Sequence, residues 1–69
     1  MSNSTINLIR TNIKKYRNAA RLTQEQLSEK AGVSCDYLSE IERGKKNPSL
    51  KRLLLIADAL GIEPYKFFR

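Results

Sequence analysis

Residues 23–43 read TQEQLSEKAGVSCDYLSEIER, and the rest of the chain can be read outward from them. Thr23 with Gln26 three residues later is a capping-box pattern, in which each side chain satisfies the other residue's orphan backbone N–H. It predicts a helix beginning at Thr23, with Leu27 and Ala31 as its buried positions, ending before Gly32. Gly32 falls where a left-handed backbone is needed to leave a helix, a conformation that costs glycine little. Val33 plugs the turn from inside. Ser34 caps a second helix running to about Arg43, with Leu38 and Ile41 as its apolar face, and Gly44 ends it.

Before this pair, residues 1–4 are polar and expected to fray, and Ser4 or Thr5 is a candidate cap for a first helix. Ile6, Ile9, Ile13, Tyr16 and Ala20 then recur at 3-4 spacing and make one buried stripe. Arg10, Lys14, Lys15, Arg17 and Arg21 occupy the other faces, and Leu22 closes the connection. After the pair comes KKNPS at 45–49, a basic loop in which Pro48 discourages helix at Asn47. Ser49 caps a fourth helix, Leu50 to Leu60, ended by Gly61. Leu50, Leu53, Ile56, Ala57 and Leu60 share one arc at about 100° per residue, with Leu54 on its shoulder and Leu55 nearly opposite. Ile62 restarts the chain, Pro64 suits the first position of a last short helix, and Phe67 and Phe68 finish it. No segment alternates with period two for long enough to make a strand, so the fold class is all-α.

The chain has 69 residues, room for a single domain over residues 1–69. A chain this short buries roughly 60% of the surface its unfolded form exposes. That suffices for a compact helical bundle and not for an enclosed substrate cavity. With 13 Lys and Arg against 7 Asp and Glu the net charge is +6, which suggests a polyanionic partner, nucleic acid being the commonest; a surface made basic for solubility is the plainer reading. Cys35 is the only cysteine and there is no histidine, so neither an intramolecular disulfide nor a Cys/His metal cluster can form. This fits a reducing, cytoplasmic setting. The longest unbroken apolar run, Leu53 to Ala57, is far too short to span a bilayer, and MSNSTINLIR lacks the form of a secretory leader. Without histidine, a metal cluster, a Gly-rich phosphate loop or a pocket, an enzyme is not expected, and neither is a cofactor or a small-molecule ligand.

Two short helices joined by a three- to four-residue turn containing glycine are the sequence form of a helix-turn-helix, whose second helix enters the DNA major groove. Four segments extend the likeness: IKKYR at 13–17, LTQEQLSEKAGVS at 22–34, YLSEIERGKKNPSL at 37–50 and IADALGI at 56–62. On these, the stretch from Ile13 to Phe68, about four-fifths of the chain, resembles the Cro/repressor-type (Xre) helix-turn-helix family. The resemblance implies a compact five-helix, lambda-repressor-like domain that binds operator DNA, usually as a homodimer, and controls transcription. It also implies an ion pair between Arg17 and Glu42 that ties the first helix to the end of the third.

With Leu38 and Ile41 buried, Cys35, Asp36, Ser39, Glu40 and Arg43 point away from the core. By resemblance, Ser34, Cys35, Asp36 and Ser39 face the base edges. None of the common bidentate readers, Arg, Gln or Asn, lies between Ser34 and Ser39. Asp36 or Glu40 can accept from a cytosine N4 amine, or both can be solvated acids that repel non-cognate backbone. Ser39 can donate or accept, Cys35 can pack on a thymine methyl, and Tyr37, to the side, can reach a phosphate with its hydroxyl. Family members grip a phosphate at the position of Gln24, and the orphan N–H groups of a helix start favour that. Arg43, Lys45, Lys46, Lys51 and Arg52 give five positive residues and no acid between 43 and 52, whereas Leu22 to Glu42 holds one Lys and five acids. Affinity is therefore expected mainly from the 43–52 region, with Asn47 and the Ser49 helix start as further anchors.

Leu55 stands where the family commonly has a polar residue. With Leu54 and Phe68 it can form a self-complementary patch for a homodimer, or it can be an ordinary scattered exposed leucine. A second class of function remains open: an antitoxin or protein-interaction adaptor that keeps the fold and has lost DNA affinity, favoured by the acidic face of the third helix. A redox switch at Cys35 is a further, minor alternative.

Overall fold

A computed structural model describes residues 3–69; of the fraying expected over residues 1–4, that of 1 and 2 lies outside them, whereas Asn3 and Ser4 are helical. Four α-helices follow one another, α1 Asn3–Ala19, α2 Gln24–Ala31, α3 Cys35–Glu42 and α4 Leu50–Leu60, and a 3-10 helix, Pro64–Phe68, closes the chain. The described residues contain no strand, so the chain is all-α. The fifth helix expected from the resemblance is not an α-helix. Pro64 supplies no backbone N–H, and the segment turns tightly, with Lys66 N–H donating to the Glu63 carbonyl at 3.0 Å, an i→i+3 bond.

Every element contributes to one buried cluster: Ile9 and Ile13 from α1, Leu27 and Ala31 from α2, Leu38 and Ile41 from α3, Leu53, Ile56 and Ala57 from α4, and Phe67 from the 3-10 helix. Tyr16, Leu22, Val33, Leu60 and Ile62 pack against it, half-buried. α1 lies along the 3-10 helix and α3, and α2 lies against α3 and α4. The α1–3-10 contact has a polar fastening. Asn12 is buried, and its Nδ2 donates to the carbonyls of Phe67 at 2.9 Å and Arg69 at 3.1 Å. Those carbonyls end the 3-10 helix without helical partners, and a buried amide satisfies them.

Three expectations are corrected. Ser4 and Thr5 do not cap α1, because the helix already includes Asn3 and both lie inside its first turn. Ala20 lies beyond the end of α1 and is exposed, since the chain has by then turned away from the core. Leu50 belongs to the apolar arc of α4 by angle but is 70% exposed. Side chains on a helix lean toward its N-terminus, so a leucine in the first turn projects past the end of the packed surface.

The caps are as read. Thr23 and Gln26 form both bonds of the capping box, and Ser34 and Ser49 accept from Tyr37 N–H and Arg52 N–H to start α3 and α4. Gly32 and Gly61 leave α2 and α4 with positive φ, 73° and 70°. The turn from α1 to α2 uses the same geometry without a glycine. Arg21 has φ 59°, with its N–H on the Asn18 carbonyl and that of Leu22 on the Arg17 carbonyl. Holding a non-glycine residue there costs roughly 1–2 kcal/mol, of which glycine's greater freedom in the unfolded chain offsets about 0.5–1. Arg21→Gly is therefore expected to raise the thermal midpoint by a few degrees. A lower midpoint would mean that the arginine side chain contributes contacts outweighing its backbone strain.

Candidate nucleic-acid interface

The helix-turn-helix pair is anchored by a buried charge. Arg17, from the last turn of α1, reaches Glu42 at the end of α3 with two parallel bonds, Nε to Oε2 at 2.7 Å and Nη2 to Oε1 at 2.9 Å. Both residues are more than nine-tenths buried. The third guanidinium donor, Nη1, bonds the Leu22 carbonyl at 2.8 Å, just before α2. Gln24, the first residue of α2, donates from Nε2 to Glu42 Oε1 at 3.1 Å. One carboxylate thus ties α1, the start of α2 and the end of α3. The hydrogen bonds to Glu42, with its negative charge, hold the Arg17 guanidinium above its ordinary range, against burial, which acts the other way. A raised pKa means that the arginine's contribution is complete below that range and is lost only as pH rises beyond it, in strong alkali. Arg10 covers the same end of α3 from outside. Its Nη1 donates to the Glu42 carbonyl at 3.4 Å and its Nε to Asn7 Oδ1 at 3.0 Å, setting a cation against the negative end of the α3 dipole.

Along α3 the proposed reading residues differ in how free they are. Ser34 Oγ is committed as the helix cap, accepting from Tyr37 N–H at 3.0 Å. Cys35 is a half-buried free thiol. Asp36 is exposed, with no hydrogen-bond or ion-pair partner among the described residues. Ser39 is half-buried. Glu40 meets Lys46 Nζ at 3.7 Å, a partly exposed pair. Tyr37 is the residue whose surroundings the sequence least disclosed. Its hydroxyl accepts from the Ser49 N–H at 3.2 Å, and Lys46 Nζ and the Arg52 guanidinium lie 5.5 and 5.1 Å from its ring centre.

Past α3 the chain turns on Gly44 (φ 77°), with Lys45 N–H returned to the Glu40 carbonyl at 2.8 Å. Arg43, Lys45, Lys46 and Asn47 are all exposed there, next to Lys51 and Arg52 at the start of α4. The basic segment and α3 therefore form one continuous surface. The Gln24 amide has one of its N–H groups engaged by Glu42. Leu54, Leu55 and Phe68 are exposed, and so are Leu50, Tyr65 and Leu8, which the sequence did not single out as surface residues. No helix among the described residues is long and apolar enough to cross a membrane.

Two capped helices about a left-handed glycine, with the second helix bordered by cations, define a helix-turn-helix protein. A family model described as "Helix-turn-helix" matches residues 13–67, and the chain belongs to that Xre-type family. It is 53% identical over 51 residues to the immunity repressor protein of Bacillus phage phi105, covering 74% of this chain and 35% of the repressor. It is 38% identical over 54 residues to the control protein C.SmaI of Serratia marcescens, covering 78% of this chain and 64% of that protein. The chain thus spans about a third of the phage repressor and just under two-thirds of the control protein. Among solved structures, the restriction-modification controller protein C.AhdI of Aeromonas hydrophila superposes with a TM-score of 0.89 at 34% identity, over 94% of this chain and 98% of that one.

Removing one partner of a buried ion pair strands the other, at a cost of about 3–5 kcal/mol. That is a large part of the roughly 3–10 kcal/mol expected for a domain of this size. Arg17→Ala is expected to lower the thermal midpoint by more than 10 °C and to weaken duplex binding together with it. Replacing both residues by methionine leaves no orphan charge and should recover much of the stability. An Arg17→Ala protein that melted like wild type yet lost binding would make Arg17 a direct DNA contact.

Proposed function

We propose that the chain is a sequence-specific DNA-binding transcriptional regulator of repressor or controller type. It would bind a near-palindromic operator as a homodimer, with Ser34–Arg43 in the major groove and half-sites about one helical turn apart. One observation carries the reading. The exposed side of α3 runs directly into a segment with five cations and no acid between residues 43 and 52, on the second helix of a family helix-turn-helix. The relatives named as an immunity repressor and as a control protein, and the solved restriction-modification controller protein, support it. The acting unit is taken to be residues 1–69 as one domain, working in the cytoplasm where its DNA is.

In this reading Ser34, Cys35, Asp36, Ser39 and Glu40 face the bases. Tyr37, Arg43, Lys45, Lys46, Asn47 and Gln24 border the phosphates. Gln24 keeps one N–H of its amide for a phosphate while the other stays on Glu42, and the free backbone N–H groups of the α2 start lie beside it. Leu54, Leu55 and Phe68 are the proposed dimer contacts. A fully buried leucine is worth roughly 1.5–3 kcal/mol, and a two-fold axis counts each one twice.

The test is a salt series of binding to a duplex selected from random DNA. A regulator neutralising Z phosphates gives a log–log slope near −0.9Z, and the selected site should be an inverted repeat. Absence of any sequence-dependent binding at low salt would sink the reading. It would favour the second one, an antitoxin or protein-interaction adaptor, for which the specific observation is the acidic α3, with Asp36 exposed and unpaired. The dimer has its own check. Leu54→Glu with Leu55→Glu should shift sedimentation toward monomer and weaken operator binding without lowering the thermal midpoint. Wild type that sediments as a monomer at tens of micromolar would leave dimerisation to the DNA-bound state.

A further inference from the structure

We propose that Tyr37 is a positioning residue that pre-places two phosphate-binding cations, Lys46 and Arg52, on the edge of the reading helix. The proposal rests on the DNA-binding reading above and specifies which cations carry the grip. From the sequence, Arg52 is only one of five like cations in the 43–52 segment.

Tyr37 belongs to the first turn of α3, yet its hydroxyl and its ring meet groups beyond that helix. Lys46 Nζ is 5.5 Å and the Arg52 guanidinium 5.1 Å from its ring centre, both inside the distance at which a ring quadrupole attracts a cation. Its hydroxyl accepts the N–H of Ser49 at 3.2 Å. Ser49 in turn caps α4, its Oγ accepting from Arg52 N–H at 3.2 Å. Arg52 is therefore fixed to Tyr37 twice, through its side chain at the ring and through its backbone by way of Ser49. Lys46 is also held from two directions, by the ring and by Glu40 at 3.7 Å, three residues on from Tyr37 along α3.

The other three cations of the segment have no such support. The side chains of Arg43, Lys45 and Lys51 are exposed, with no partner among the described residues. A free lysine or arginine must be ordered when it meets a phosphate, and that lost freedom is subtracted from the binding energy. A cation already held in place loses less. Tyr37 therefore divides five like charges into a prepared pair and three that are ordered only on contact. Because the ring sits on α3 itself, the prepared pair moves with the reading helix. Phosphate contact then sets the register of that helix in the groove.

Two measurements test this. In the free protein, the side-chain protons of Lys46 and Arg52 should show ring-current shifts from Tyr37 by NMR. This needs no mutation, and random-coil positions for both would overturn the proposal. On a selected duplex, the salt slope is compared for wild type, Tyr37→Phe and Tyr37→Leu. Phenylalanine keeps the ring face and loses the hydroxyl with its Ser49 bond, so it should lose clearly less affinity and less slope than leucine does. Leucine keeps apolar bulk without the π face. It should bind on the order of tenfold more weakly and flatten the slope by about one to two units, at about 0.9 per phosphate. In a Lys46→Gln, Arg52→Gln background, Tyr37→Leu should add little further loss, because the coupled groups are already gone.

A wild-type slope in Tyr37→Leu, or full additivity in the double-glutamine background, would overturn the proposal. Equal losses in Tyr37→Phe and Tyr37→Leu would overturn it as well, by making the hydroxyl itself the DNA contact. A wild type that shows the ring-current shifts and binds no duplex would instead overturn the functional reading on which the proposal rests.

Discussion

A guanidinium facing a carboxylate with almost no water around either fixes how three helices of this chain meet. Neither Arg17 nor Glu42 tolerates burial alone, since a stranded buried charge costs a large part of the stability of a domain this small. The pair is therefore a geometric demand. Two parallel bonds at 2.7 and 2.9 Å require the planes of the two groups to coincide. They do so only when the last turn of α1 and the end of α3 stand at one distance and angle. An apolar contact at the same place would tolerate sliding by a fraction of a turn, and this contact does not. A third bond from Arg17, Nη1 to the Leu22 carbonyl, carries the constraint to the threshold of α2, and Gln24 returns it to Glu42. The apolar cluster supplies most of the folding energy, and the ion pair sets the direction in which α3 points.

Much of this was legible in the residues. Caps are local: Thr23, Ser34 and Ser49 each act on the N–H three positions on, so each is readable from a short window, and each forms the predicted bond. Gly32 and Gly61 are legible for the same reason. The core list also followed from helical spacing, because Ile9, Ile13, Leu27, Leu38, Ile41, Leu53 and Ile56 repeat at the period of the element that buries them. Spacing failed at the ends. Leu50 has the right angle and the wrong height, and angle is all that a periodicity measures. Arg21 occupies a left-handed turn that would have been plain had it been glycine. Asn12 gave no local signal, since its partners lie more than fifty residues away. The Arg17–Glu42 pair came from the family likeness, as no window of sequence joins residues 25 positions apart.

The surroundings of the proposed site were less legible than its membership. Charge counting identified the basic segment and the acidic helix as opposed halves, whereas the structure joins them through Tyr37. That ring lies within reach of cations from both the loop and α4, and its hydroxyl reaches the cap of α4. Gln24 differs in another way. The family resemblance presents it as a phosphate ligand at a helix start. In the folded chain Glu42 holds it, so the proposed phosphate ligand at one edge and the orientation of α3 share a single carboxylate. A disturbance at Glu42 would reach the angle of the reading helix and the grip of α2 together.

The charge on α3 then takes on a more specific meaning in the proposed complex. Glu40 is compensated by Lys46, and Glu42 by Arg17, which leaves Asp36 as the uncompensated acid of the helix. An unpaired carboxylate brought toward DNA is repelled by phosphates at every sequence, and the repulsion is offset only where a base presents a donor, such as the N4 amine of cytosine. Such a residue adds little to affinity and much to the difference between sites, which is what specificity measures. The cations on the flanks act oppositely, attracting any duplex with little regard to sequence. Grip at the edges and exclusion at the centre are therefore two requirements of one surface. In the proposed complex the acidic helix fits a DNA reader, with the residues proposed to bind without discrimination placed outside it.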